Sequence, residues 1–230
     1  VTDRRNGRQQ YVYLANFDWY NYLYDDSRPT WDHNINIKGG TKALSYMVSG
    51  RYYQQKGVNR IEPDMFKSYN FRVKLQAEIK PWLTIASNTK FFQSNYKYYG
   101  YEDEYNNFRK PTLHALASFV PVNPDGTAVS HTSMTQSSTH YLMDGYSAMM
   151  QKGKSFGNKK TQEITTTFEA TFKLHKNFNV KADFSYTQGY LHNDYRSVNV
   201  QYSQYPGEVM TEPEGSFPNK YKEVVWDQNY

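Results

Sequence analysis

The sequence predicts an all-β fold, an antiparallel up-and-down run of strands that makes one segment of a transmembrane β-barrel. Three observations predict it. Apolar and polar side chains alternate with period two over long stretches, the alternating runs are about twice as long as soluble strands usually are, and short turns alternate with long loops.

The first paired run begins with Ile35 and Ile37 and turns at Lys38-Gly39-Gly40-Thr41-Lys42. Leu44, Tyr46, Val48 and Tyr52 then alternate with Ser45, Ser49 and Arg51. The second begins with the clearest segment of the chain, Tyr69 to Ile79, in which every odd residue is apolar and every even residue polar or charged. A helix would scatter those residues around its circumference, so the segment is a strand with one greasy and one polar face. Lys80-Pro81-Trp82 reverses the chain, because proline suits a turn and lacks the N–H that a sheet interior needs. Leu83, Ile85 and Phe91 then alternate with Thr84, Asn88 and Lys90. In the third pair, Ile164, Phe168, Ala170, Phe172 and Leu174 precede the turn His175-Lys176-Asn177, and Phe178, Val180, Ala182, Phe184 and Tyr186 follow it. This reading gives three hairpins and about six strands.

The turns inside the hairpins are a few residues each, whereas the connections between hairpins run near 55–66, 95–160 and 191–221. In a meander, all short turns then fall at one end and all long loops at the other, as in outer-membrane barrels. Thirteen residues at about 3.3 Å each and a tilt near 40° rise roughly 33 Å, enough to cross a hydrocarbon core. Tyr52, Tyr53, Tyr69 and Phe92 are expected in an aromatic girdle near the long loops, and Trp82 and Phe178 in one near the short turns. A soluble β-sandwich shares the alternation but explains neither strand length nor loop asymmetry. Six strands cannot close a membrane barrel, so the chain is expected either to multimerise into one or, as the favoured reading, to be a segment of a larger one, with plug domain and C-terminal strands absent.

Composition narrows the function. Lys+Arg 27 against Asp+Glu 22 gives a net charge of +5, with the basic residues scattered, and no nucleic-acid partner is expected. The mean hydropathy of −0.90 and the lack of a run near 20 apolar residues exclude a membrane-spanning helix but not a barrel, which shows lipid only alternate side chains. Cysteine is absent, which removes thiolate metal sites and thiol catalysis. The six His show no metal-ligand spacing, and Glu163 and Glu169 lie about 20 Å apart along one strand, too far for a glycosidase pair. Neither an enzyme nor a metal or cofactor site is expected.

Aromatic residues make up 17% of the chain, with 23 Tyr, and tyrosine suits half-wet positions and sugar or peptide recognition. The densest cluster, Tyr96, Tyr98, Tyr99 and Tyr101, is the candidate substrate-binding element of the long loop. Arg72 and Asn88 are candidate contacts on the polar, lumenal face. Loops rich in Tyr, Asn, Gln, Ser and Thr favour an oligosaccharide; a peptide could use the same side chains.

Asp18-Trp19, His33-Asn34-Ile35-Asn36-Ile37-Lys38-Gly39-Gly40-Thr41, the Tyr46 to Tyr53 strand, Gly57, Tyr69-Asn70-Phe71-Arg72 and Trp82-Leu83 together resemble the early barrel of SusC/RagA-type TonB-dependent transporters of Bacteroidetes. The resemblance is dense from Asp18 to Phe92 and architectural beyond it. It implies a 22-stranded barrel in the cell outer membrane with a plug, a SusD-like lipoprotein lid, and energy from the TonB complex acting through the plug. The expected role is import of oligosaccharides, as in SusC-like members, or of peptides, as in RagA-like ones. A soluble Tyr-rich β-protein that binds carbohydrate is the alternative from another class.

Overall fold

A computed structural model describes residues 2–5, 7–100, 117–129, 155–198, 201–203, 205–211 and 220–229. Its framework follows from the alternating stretches. They pair as one antiparallel sheet of seven strands: β3 (Thr30–Gly40), β4 (Leu44–Lys56), β5 (Met65–Lys80), β6 (Leu83–Tyr99), β8 (Phe156–His175), β9 (Phe178–Ser197) and β12 (Lys220–Asn229). Their order across the sheet is β12-β9-β8-β6-β5-β4-β3. Six short elements complete the described residues: β1 (Thr2–Arg5), β2 (Arg8–Tyr11), α1 (Trp19–Leu23), β7 (Ala128–Val129), β10 (Gln201–Ser203) and β11 (Met210–Thr211), with α1 the helix among them. No described helix is long and apolar enough to cross a membrane.

The turns explain the order. Thr41 closes the first: its N–H donates to Leu44 O at 2.6 Å and its Oγ1 accepts from Ala43 and Leu44 N–H. Pro81 and Trp82 make the second, and Lys176 and Asn177 the third, each beside a register irregularity in the flanking ladder. The ladders run further than the alternation alone suggests. Tyr99 pairs with Phe156 and Arg196 with Phe156, so residues 95–99, 156–160 and 191–197 belong to strands rather than to connections. The seventh strand, β12, pairs from Lys220↔Ser197 to Asn229↔Gln188; it begins at the end of the last expected loop and runs on through residues to which the alternation assigns no strand. Its sequence hides it, because Val224, Val225 and Trp226 are consecutive and break the period-two signal.

Register assigns every strand residue to a face. On one side lie rows made by Ile35, Gly50, Phe71, Phe91 and Ile164; then Ile37, Val48, Val73, Thr89, Thr166 and Tyr186; then Gly39, Tyr46, Leu75, Ser87, Phe168 and Phe184. Leu44, Ala77, Ile85, Ala170 and Ala182, then Leu83, Phe172 and Val180, continue the band toward the short turns. None of these side chains is charged. Five rows spaced about 6.6 Å along tilted strands give a band about 20 Å tall, close to the apolar belt of outer-membrane barrels. The band is open to the surroundings: Ile35, Phe71, Leu75, Phe168 and Phe184 are all exposed, and no second sheet covers it among the described residues. The two threonines of its middle row bond each other, Thr89 Oγ1 to Thr166 Oγ1 at 3.2 Å, which spares an apolar medium their unpaired hydroxyls.

Above the band, His33 stacks on Tyr52 and Tyr52 leans on Tyr69 at 5.2 Å between centroids, forming an aromatic edge. Tyr53 and Phe92, expected in the same girdle, face the opposite side: Tyr53 pairs with Ser68 and Phe92 with Asn70 and Glu163, one residue out of phase with the apolar row. Trp82 stacks on Phe172 at the short-turn end, where Phe178 is also exposed. Strands of twenty residues reach about 66 Å, far longer than the apolar band, so β8 and β9 continue well past it on the long-loop side.

At that far end the N-terminal segment is fastened by its own sequence. Asp18 caps α1, its Oδ1 accepting from Asn21 N–H at 3.0 Å, and this hydrogen bond holds its carboxyl below the usual carboxylate range. Trp19 and Leu23 are buried against Phe17 and Tyr22. Arg60 then clamps the helix end, donating to Asp25 Oδ1 and Tyr24 O at 3.0 Å each.

If the uncharged band meets lipid, Val73→Arg in its middle row costs about 2–4 kcal/mol of folding in a bilayer, while Lys74→Glu on the opposite face costs far less. Heat-modifiability of the two variants in vesicles checks this; equal tolerance would contradict it.

Candidate functional site: the polar wall and its outer end

The face opposite the band carries the charge. Arg51 forks onto Asp32 with Nε and Nη2 at 2.9 and 2.6 Å, and Lys181 pairs with Glu169 at 2.9 Å. Thr167 and Ser185 bond across β8 and β9 at 3.0 Å on this face, as do Thr165 and Thr187 at 3.1 Å. These short polar ties knit neighbouring strands while leaving long side chains to project.

Two broad clefts open on the wall. One of about 450 Å³ lies among Asn34, Asn36, Arg51, Asn70, Arg72, Lys90 and Glu163. The other, of about 390 Å³, lies nearer the short turns among Lys38, Lys74, Gln76, Asn88 and Glu169. Arg72 and Asn88 join them, with Arg72 Nε donating to Asn88 Oδ1 at 2.9 Å. Both sequence-predicted wall residues therefore sit on the polar face, directly bonded to each other.

The tyrosine cluster lies elsewhere and in a different setting. Tyr96, Tyr98 and Tyr99 belong to β6, not to a loop, and Tyr101 lies outside the described residues. Strand alternation splits the three. Tyr96 and Tyr98 point to the polar side, stacked 5.5 Å apart, while Tyr99 points to the other side with Lys97 5.0 Å from its ring centre. Tyr96 Oη also donates to Asp64 Oδ2 at 3.2 Å. Tyr98 is buried, because its partner across the ladder is Gly157 and the ring lies over that bare backbone; a Cβ at Gly157 would collide with it. Eight residues, about 26 Å along β6, separate Asn88 from Tyr96, so the predicted residues form two groups and not one pocket.

Sequence reasoning missed the neighbours that complete the outer group. Tyr98, Gly157, Tyr195 and Lys222 form one cross-strand row, and Tyr96, Lys159, Asn193 and Val224 the next. Tyr195 Oη donates to Gly100 O at 3.0 Å. The missing signal was register: Lys159, Asn193 and Lys222 are far apart in sequence and only the β8-β9-β12 pairing brings them together. Among the described residues, no three His, Asp or Glu side chains converge as a metal ion would require.

No protein-family model and no curated protein matches the chain. Among solved structures it is similar to a chain of the RagAB peptide transporter, at 20% identity and a TM-score of 0.58 over 80% of its own length. It is similar to the RagAB peptide importer in the open-open state at 21% identity and TM-score 0.61 over 85% of its length. In the closed-closed state the values are 17% and 0.54 over 96%. The chain spans only 21%, 22% and 31% of the length of those chains. At such identities the shared property is the fold.

The interlock of Tyr98 with Gly157 makes a measurable prediction. Gly157→Ala destabilises by about 1–3 kcal/mol through overpacking and Tyr98→Ala by about 3 kcal/mol through a void. Combined, they cost less than their sum by about 1 kcal/mol. Urea unfolding of the four proteins in one lipid system gives the coupling; strict additivity would show that ring and glycine do not interlock.

Proposed function

We propose that this chain is a stretch of the wall of an outer-membrane active importer, a TonB-dependent barrel that works with a SusD-like surface lipoprotein. One observation carries the reading: a single antiparallel sheet has a charge-free, uncovered band on one face and a charged, cleft-bearing wall on the other. A soluble domain would cover such a band with a second layer; a bilayer covers it with acyl chains. The fold likeness to the RagAB peptide transporter supports the same placement. The lid and the TonB complex enter as partners of that kind of assembly, with the force from TonB acting on a plug inside the barrel.

The substrate class proposed is a peptide. RagAB is a peptide importer, and a wall rich in Asn, Arg, Lys and Glu can exchange hydrogen bonds with peptide backbone as readily as with side chains. An oligosaccharide is the second reading, favoured by the stacked Tyr96–Tyr98 pair on the polar side. Tyr96 offers an aromatic face with a hydroxyl beside it, the geometry on which sugar rings pack.

The residues between Tyr99 and Phe156 are proposed to form an extracellular loop that encloses substrate or meets the lid. Replacing 101–154 with a short Gly-Ser turn in the complete transporter leaves insertion intact and cuts uptake at least tenfold. Growth on a defined peptide mixture or on a single glycan as sole nutrient reads uptake and separates the two substrates. Undiminished growth on both after the deletion would refute the loop's role, and a full-length protein that folds without detergent or lipid would refute the membrane reading.

A further inference from the structure

The face that carries the uncharged band continues past it toward the long loops, and from β3 to β8 its composition changes in steps. The first row above the band is His33, Tyr52, Tyr69, Gln93 and Gln162, with Gln162 Nε2 donating to Gln93 Oε1 at 2.7 Å. The second is Trp31, Gln54, Lys67, Asn95 and Lys160, with the indole of Trp31 exposed. The third is Lys56, Met65, Lys97 and Asn158. Apolar, then aromatic, then cationic is the order in which hydrocarbon, interface and anionic headgroups follow one another in a bilayer.

Three of the lysines form a patch. Lys67 and Lys160 stand on either side of Asn95, two strand spacings or about 10 Å apart, and Lys97 sits one row higher, about 8 Å from each. Among the described residues none of the three is ion-paired, whereas Lys56 beside them is held by Asp25. Lys97 lies 5.0 and 5.4 Å from the ring centres of Tyr99 and Phe156, contacts that orient its stem without neutralising its charge. The carboxylates in these rows are on β9 and β12, toward the sheet edge. Asp194 accepts from Asn158 Nδ2 at 2.8 Å, Glu223 meets His192 Nε2 at 2.7 Å, and Asp227 is in the first row. Asp64 reaches Tyr96 on the opposite face, and Glu62, exposed between β4 and β5, pairs with none of the three lysines.

Height decides which lipid fits. Each row rises about 5 Å along tilted strands, so the two lysine rows stand about 10 and 15 Å above the last apolar row. The headgroup region of a phospholipid bilayer reaches only about 5–8 Å beyond the hydrocarbon, within reach of Lys67 and Lys160 by their stems but short of the row of Lys97. A glycolipid whose phosphates are carried on sugar rings reaches both rows. The amides of Gln54 and Asn95, set among the lysines, offer donors and acceptors that suit sugar hydroxyls.

We propose that this patch docks a phosphorylated glycolipid of the leaflet at the long-loop end. Lys67, Lys97 and Lys160 take its phosphates, and Gln54 and Asn95 its sugar hydroxyls. The proposal rests on the membrane reading, since it needs the uncharged band to be immersed in lipid.

The test titrates the complete transporter, in non-ionic detergent, with diphosphorylated lipid A, phosphatidylglycerol and phosphatidylcholine, and counts bound lipid by native mass spectrometry. Each lysine at an anionic interface contributes about fivefold, so lipid A is expected to bind more tightly than phosphatidylcholine by about tenfold or more, and more tightly than phosphatidylglycerol. Lys67→Gln/Lys97→Gln/Lys160→Gln removes that margin. The charge-matched Lys80→Gln/Lys173→Gln/Lys176→Gln, at the short-turn end, keeps it. Heat-modifiability shows that each variant is folded. A folded patch variant that keeps its lipid A affinity, or a control that loses as much, overturns the patch, and phosphatidylglycerol bound as tightly as lipid A overturns the glycolipid as its occupant. Each of these results leaves the membrane reading standing; a full-length protein that folds without lipid or detergent overturns that reading itself.

Discussion

Everything in this fold depends on the pairing of backbone N–H and C=O groups between neighbouring strands. In hydrocarbon no water can take up an unpaired group, and each one costs several kcal/mol, so a crossing sheet must satisfy its backbone from strand to strand. The five ladders among β3, β4, β5, β6, β8 and β9 do this almost without interruption, with irregularities confined to the residues beside two of the turns. Because the ladder fixes the backbone, side chains are left to alternate, and each face can be written independently. Over the height of the band one face became uncharged and the other charged without either disturbing the hydrogen bonds.

The independence of the faces also locates the chemistry. On the polar wall, charge is organised in local pairs such as Arg51 with Asp32 and Lys181 with Glu169, exposed enough that each contributes little to stability. Their value lies in presenting a hydrated, hydrogen-bonding surface along the clefts. Toward the outer end the character of the wall changes: tyrosine and glycine face each other across β6 and β8, and Tyr96 and Tyr98 stack on each other. The wall is therefore graded along its height, from balanced charge near the short turns to aromatic near the long loops.

Much of this could be read from the sequence, for a physical reason. Period-two alternation from Tyr69 to Ile79 leaves one solution for the backbone, and the same holds for 164–174 and 178–186, so strands, turns and faces were legible there. Legibility failed where alternation fails. Above the apolar band both faces of β8 and β9 are wet, so 156–160 and 191–197 carry no hydrophobic signature and read as loop, although they are paired. Tyr98 was read as a loop residue for the same reason. The outer group could not be read at all, since Lys159, Asn193 and Lys222 meet only through register, and register between distant strands is a tertiary property. Tyr53 and Phe92 show the converse error: aromatic identity suggested a girdle, but parity placed them on the other face.

The lock between Tyr98 and Gly157 has an evolutionary consequence. The ring fills the space that a side chain at position 157 would need, so the two positions cannot change size independently. Across a lineage, a bulkier residue at 157 must be accompanied by a smaller one at 98, and the glycine is free to drift only after the tyrosine has gone. The two sites should thus covary while the residues around them diverge. Such a correlated pair, 59 positions apart in sequence and opposite each other across β6 and β8, would mark this strand register in homologues too distant for the order of their residues to reveal it.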